Sequence, residues 1–398
     1  MSYVRFVMRK LGHYLSRQTS GRKLIPEIDG LRSIAIISVV VFHANANFSF
    51  FTDAASSAFD AWLDRIFDSG EFGVPLFFVI SGFILALPFA SHHLHGTKKV
   101  SLKKYLLRRI TRLEPPYIFA LTVFFLITMF RNGNLDQLPH YLASIAYVHN
   151  IVYGYASTIT TVAWSLEVEV QFYLLAPFLT MIFRVPSALI RRATLAITIT
   201  VMSYFFNVDH AIDGLSIISH GSYFLVGLLL ADLYLSHKVK PNETSAEEDD
   251  SLPTPSARHY AWDAIAIVAL SAVFLTRAYY IHPEILCPWL ILIGYVAVFE
   301  GGWTRRLFRL PFIVILGGMC YTIYLWHFFI IIVLRRPWFS LFSPDSNPVD
   351  RLVYILAATV ISVSISAVLF ALIERPTMNP NWPRDLLRLV RRRGPSEH

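Results

Sequence analysis

The sequence predicts an all-α membrane protein, a polytopic bundle of about ten transmembrane helices with both termini cytoplasmic. Three observations carry this. Hydrophobic residues make up 55% of the chain and charged residues only 16%, where a soluble domain carries about 25% charged. The apolar residues gather into stretches close to the roughly 20 residues that cross a bilayer. Finally, Lys and Arg sit in short runs beside those stretches. The net charge of +8 therefore reads as cytoplasmic loops at an anionic leaflet, not as a nucleic-acid surface.

Met1–Lys23 holds six basic residues and no acidic one. Tyr3, Phe6, Val7, Leu11, Tyr14 and Leu15 recur at helical spacing, so residues 1–25 read as an amphipathic, basic segment on the inner surface. It lacks the compact apolar core of a secretory signal. Ten spans follow at 28–48, 71–90, 113–131, 159–183, 192–208, 215–236, 261–281, 283–300, 310–334 and 351–374, the fifth and eighth being the least apolar. The first connection carries Asp53, Asp60, Asp64 and Asp68 against Arg65 and is placed outside. The next carries Lys98, Lys99, Lys103, Lys104, Arg108, Arg109 and Arg112 and is placed inside. Arg335 and Arg336 fall in an outer loop, against the trend, and 132–158, with His140 and His149, reads as another short outer loop. Residues 26–376 form one transmembrane domain, with a flexible cytoplasmic loop at 237–258 and a basic cytoplasmic tail at 377–398.

Ionisable groups inside spans mark function by default. Span one carries Asp29, Arg32 and His43, and a cation at mid-bilayer costs about 2.5–3.5 kcal/mol on insertion scales. Arg32 and His43 lie eleven residues apart. That separation turns a helix about 20° past three full turns and rises about 16 Å, so both groups share one stripe. A snorkelling Arg and a satisfied buried His would explain the pair as well. Span two carries Ser81-Gly82, a pair that also suits plain close packing. Arg109 and Arg112 share a face before span three, where guanidinium forks suit phosphates; positive-inside anchoring is the plainer account. Span four carries Trp164-Ser-Leu-Glu167-Val-Glu169-Val-Gln171-Phe-Tyr173, with the two carboxylates about 200° apart; a purely structural ion pair with Arg32 would also account for one of them. Span nine carries Trp326-His327, which counting from residue 310 places near the outer interface. Glu374-Arg375-Pro376 reads as a salt bridge and helix stop.

Cys287 and Cys320 fall within apolar stretches, which argues against a disulfide framework or thiolate cluster. His92, His93 and His95 lack the spacing of a zinc site, and no metal is expected. No phosphate-binding glycine loop or Gly-x-Ser-x-Gly elbow occurs.

Taken in order, Pro26-Glu-Ile-Asp29-Gly-Leu-Arg32 through His43, Phe77-Phe-Val-Ile-Ser81-Gly82, Arg109-Ile-Thr-Arg112, Trp164 to Tyr173, Gly317 to His327 and Glu374-Arg375-Pro376 resemble the membrane-bound acyltransferase-3 family over about residues 26–376. The resemblance implies transfer of an acyl group, usually acetyl, from cytoplasmic acyl-CoA to a hydroxyl of a surface or lipid-linked glycan, such as O-antigen, exopolysaccharide or peptidoglycan. It implies no permanently bound cofactor, acyl-CoA being a co-substrate, and a multi-pass place in a bacterial inner membrane. Glu114, Val170, Glu167 and Gly318 depart from the family pattern and leave open which span-four carboxylate matters; alignment favours Glu169. On this reading His43 is the catalytic base or a transient acyl carrier, Glu169 orients or stabilises its imidazole, and Arg32 engages the CoA arm. Arg108, Arg109 and Arg112 hold the nucleotide phosphates and Ser81 lies near the thioester. Trp326, His327, Tyr173 and Trp164 border the acceptor. A secondary transporter or flippase for a glycan or small solute is the rival class, since it too keeps Arg, Glu and His at mid-depth.

Overall fold

The computed structural model describes residues 15–17, 24–52, 57–207, 215–238, 256–342, 347–379 and 382. Of the described residues 85% are helical, and none lies in a strand. Among the described residues, ten helical segments are long and apolar enough to cross a membrane, the two least apolar stretches included. Most of the N-terminal amphipathic segment, the 237–258 loop and the basic tail lie outside the described residues.

In chain order the helices are α1 (Pro26–Phe51), α2 (Ala58–Asp68), α3 (Gly73–His95), α4 (Leu102–Asn132), α5 (Leu138–Ile145), α6 (His149–Tyr153), α7 (Ala163–Leu179), α8 (Ala188–Asn207), α9 (Ile217–Lys238), α10 (Ala257–Ala278), α11 (Pro283–Glu300), α12 (Trp303–Phe308), α13 (Pro311–Gly318), α14 (Cys320–Phe342), α15 (Pro348–Leu369) and α16 (Arg375–Thr377). Successive spans run antiparallel. One end of the bundle, called the basic end below, gathers the start of α1, the α3–α4 connection and the turns near Arg191 and Arg305.

Small residues set the tightest crossings. A Cβ on Gly82 of α3 would lie 2.3 Å from the Phe224 carbonyl oxygen of α9, and one on Gly227 would lie 2.4 Å from that of Val79. The two backbones touch there, as small residues allow in a bilayer. On the other flank, a Cβ on Gly317 would lie 1.6 Å from the Asp29 carbonyl oxygen, so α13 lies directly on α1.

Three features differ from the sequence reading. Span nine is broken: α13 stops at Gly318 and α14 restarts at Cys320. That restart, together with a helix running on to Phe342, puts Arg335 and Arg336 inside α14, where Arg335 stacks over Phe51 at 4.9 Å. The 132–158 connection is no simple outer loop, because α5 folds back along α4. Tyr141 stacks on Phe125 at 4.6 Å, and Tyr117 donates to the Ser144 carbonyl at 2.9 Å. Tyr117 lies fifteen residues before Asn132, so the chain returns about 22 Å into the bundle. Finally, Glu374 is no surface group. It is 1% exposed and accepts from Thr322 Oγ1 at 2.5 Å, at a π-helical turn spanning Phe370–Glu374.

Buried ion pairs pin the periphery. Arg191 and Arg192 of α8 both donate to Asp232 of α9 at 2.5 Å. Arg351 of α15 donates to Asp60 and Asp64 of α2 at 2.6 and 2.7 Å. None of these pairings shows in local spacing.

Candidate active site

The site grows from α1. Pro26 sits in its first turn, Glu27 and Asp29 face its positive end, and the apolar run after Arg32 continues it through the bundle. Arg32 donates to Asp29 one turn back, and Asp29 also accepts from Arg17 at 3.1 Å. Asp29 is 2% exposed, so Arg32 is aimed by a carboxylate on its own helix and not by span four.

In front of Arg32 lies a cavity enclosing about 890 Å³ of empty space, open solvent at its mouth included. It is bounded by α1, α3, α4, α7 and α14, and its polar lining includes Arg32, Ser81, Arg109, Glu169, Tyr173 and Tyr324. Ser81 donates to Glu169, and the Tyr173 hydroxyl also bonds Glu169. The Arg109 guanidinium stands 5.9 Å above the Tyr173 ring. The cavity is therefore amphipathic: Phe77, Phe78, Ile80 and Leu85 make one wall, and guanidinium, hydroxyl and carboxylate groups the other. Such a space suits an extended ligand with an anionic end.

Tyr324 and Phe77 close the far end, their rings 6.3 Å apart. Tyr324 is fixed by the Val162 carbonyl at 3.1 Å and Ser165 at 2.5 Å. Past this wall lies His43, half-buried among Phe42, His327 and Phe328. His327 Nε2 lies 3.1 Å from His43 Nδ1. His43 Nδ1 also lies 3.0 Å from the Val39 carbonyl, and His327 Nδ1 lies 3.0 and 2.8 Å from the carbonyls of Ile323 and Tyr324.

The structure thus divides the sequence candidates into groups. Arg32, Ser81, Arg109, Glu169 and Tyr173 share the cavity. His43 and His327 share the layer beyond it. Glu169 bonds Ser81, not His43, because Ser81 and Glu169 lie level with Arg32, near the basic end. His327 is fully buried instead of bordering an outer pocket, since the break at Met319 restarts the helix and leaves residue 327 two turns into α14. Trp326 points about 100° away from His327 and packs on Phe124 and Phe329. Trp164 packs on Phe78 and His220 outside the cavity. Arg108 is exposed, and the side chain of Arg112 lies outside the described residues.

Glu167 turns away from the cavity and accepts the Asn150 N–H at 2.8 Å, tying α6 to α7. Glu114 bonds Tyr147, whose φ of 57° is left-handed. Near them His149 bonds His140 at 3.0 Å, and burial lowers its imidazole pKa. Sequence reasoning missed Tyr324, Ser165 and the Asp29–Arg17 contact. Tyr324 falls one turn before His327, a spacing that could have flagged it.

The acyltransferase domain family matches residues 25–371. Among curated relatives, a Staphylococcus aureus (strain COL) protein named Putative O-acetyltransferase SACOL0978 is 26% identical over 339 residues, covering 78% of this chain and 51% of its own length. O-acetyltransferase OatA of Staphylococcus aureus (strain NCTC 8325 / PS 47) is 25% identical over 383 residues, covering 89% and 57%. The chain thus spans about half the length of the curated relatives it matches. No solved structure matches it.

Proposed function

The chain belongs to the acyltransferase-3 family, and from that we propose that it is an integral membrane O-acyltransferase moving an acyl group, acetyl by preference, from acyl-CoA to a hydroxyl of a surface or lipid-linked glycan. The observation that carries this reading is the alignment of two chemically distinct stations along α1. A guanidinium-lined cavity opens near the basic end, and an imidazole lies about 16 Å further along the same helix.

In this scheme the basic end faces the cytoplasm, as the positive-inside rule directs, and both termini lie there. The CoA phosphates rest on Arg109, whose guanidinium fork matches phosphate oxygens. The pantetheine arm runs past Arg32, and its amides meet Ser81, Glu169 and Tyr173. Ring rotation at Phe77 and Tyr324 admits the thioester to His43. The acceptor hydroxyl approaches from the opposite side. His43 takes its proton as the oxygen attacks the thioester carbonyl, and the imidazolium returns a proton to the departing CoA thiolate. The products are the O-acyl ester and free CoA.

The test uses the purified protein in liposomes with labelled acetyl-CoA and a glycan extract. Label should pass to glycan with stoichiometric release of CoA, and His43→Ala should abolish transfer at normal expression. Near-normal acylation by His43→Ala, or solute flux without CoA consumption, would defeat the reading.

A further inference from the structure

We infer that His327 is the positioning residue for His43: it accepts a hydrogen bond from His43 Nδ1–H and leaves Nε2 as the basic nitrogen. The inference rests on the assignment of His43 as the base and supplies the partner that the span-four carboxylates do not.

The proton positions follow from the neighbours. His327 Nδ1 faces two carbonyl oxygens, which only accept, so Nδ1 carries a hydrogen. His43 Nδ1 faces the Val39 carbonyl at 3.0 Å, so it also carries a hydrogen. Between the two rings the 3.1 Å contact then has one available direction: His43 Nδ1–H donates and His327 Nε2 accepts. Both rings are neutral in this arrangement. The lone pair of His43 falls on Nε2, which has no partner among the described residues.

Val39 alone would hold the tautomer weakly, being on the same helix one turn back. His327 adds a second acceptor from α14, fully buried and itself anchored by two backbone carbonyls, so the ring of His43 is held in rotation as well as in protonation. When His43 takes a proton, the resulting imidazolium donates through Nδ1 to a nitrogen already in place. In serine hydrolases a carboxylate performs this service for the catalytic imidazole; here a second imidazole does. The Phe42 and Phe328 rings, 4.8 and 5.1 Å from the His43 ring, keep other donors away.

The decisive measurement is ¹⁵N NMR of histidine-labelled protein, with His43 and His327 assigned by difference against His43→Gln and His327→Leu. A through-bond ¹⁵N–¹⁵N coupling joining protonated Nδ1 of His43 to unprotonated Nε2 of His327 is expected. Its absence, or a proton on His43 Nε2, would overturn the inference. In acylation assays His327→Leu should lower kcat by about 100-fold or more while the acyl-CoA KM stays within about twofold. His327→Gln, whose side-chain carbonyl can accept in place of Nε2, should recover at least about tenfold of that loss. A Leu variant with wild-type kcat, or a Gln variant as inactive as Leu at the same melting temperature, would overturn it too. Full acylation by His43→Ala would instead defeat the proposed reaction; an inactive His43→Ala beside a fully active His327→Leu defeats only the role of His327.

Discussion

Two arginines within spanning helices behave in opposite ways. Arg351, 2% exposed, gives its donors to Asp60, Asp64, Asn45 at 2.8 Å and Ser49 at 2.9 Å, and lies over Phe48 at 5.1 Å. Arg32 has one bonded partner among the described residues, Asp29, and turns the rest of its guanidinium to the cavity. Both satisfy the rule that an intramembrane cation is costly and therefore paired. Only Arg32 keeps donors in reserve for a ligand. What separates a staple from a site is thus the ledger of unused donors beside open space, and depth or burial alone does not decide it.

The sharpest way to break this contrast is to remove Arg351. Arg351→Met leaves Asp60, which is fully buried, without its cation, and the loss should be about 3–5 kcal/mol of stability. A lower melting temperature and poorer monodispersity in detergent would show it. The Arg351→Met/Asp60→Asn double variant should recover part of the loss, because the uncompensated charge is gone. If Arg351→Met melts as the parent does, the network is ornamental and the contrast fails.

Arg32→Met should do the reverse. Asp29 keeps Arg17 as a partner, so the melting temperature should hold. Loss of the guanidinium at the cavity should lower kcat/KM for acyl-CoA by about 100-fold, or about 2.7 kcal/mol. A melting temperature that falls as far as that of Arg351→Met would place Arg32 among the staples.

The same ledger explains what could be read before the fold was seen. Spans are legible because each must satisfy its own backbone in lipid, so composition and length suffice. Arg32 and His43 are legible as a stripe because both lie on one helix, where spacing fixes direction. The partners of His43 and Glu169 are not, since which face meets which neighbour depends on helix packing. His327 illustrates the failure: counting along an unbroken span puts it near the surface, and a one-residue break at Met319 brings it against His43. Arg351 was invisible for the same reason, its acceptors lying nearly 300 residues earlier in the chain. Glu167 and Glu169 stand two residues apart and serve opposite faces, as the helical period demands.

The finest division falls between neighbours. Arg108 and Arg109 are adjacent in a basic run, and positive-inside anchoring treats them alike. The structure does not: Arg109 lines the cavity above Tyr173, and Arg108 faces outward. If Arg109 meets a phosphate both in the ground state and in the transition state, its removal costs uniform binding. Arg109→Ala should then raise the acyl-CoA KM by about tenfold, about 1.4 kcal/mol, with kcat unchanged. Arg108→Ala should change neither constant by more than about twofold, since a solvated charge on the rim contributes little. Titrating acyl-CoA against both variants in the liposome assay checks the pair at once. Equal KM shifts would mean that the mouth acts as a diffuse basic field, in which case the cavity wall has no special claim on Arg109.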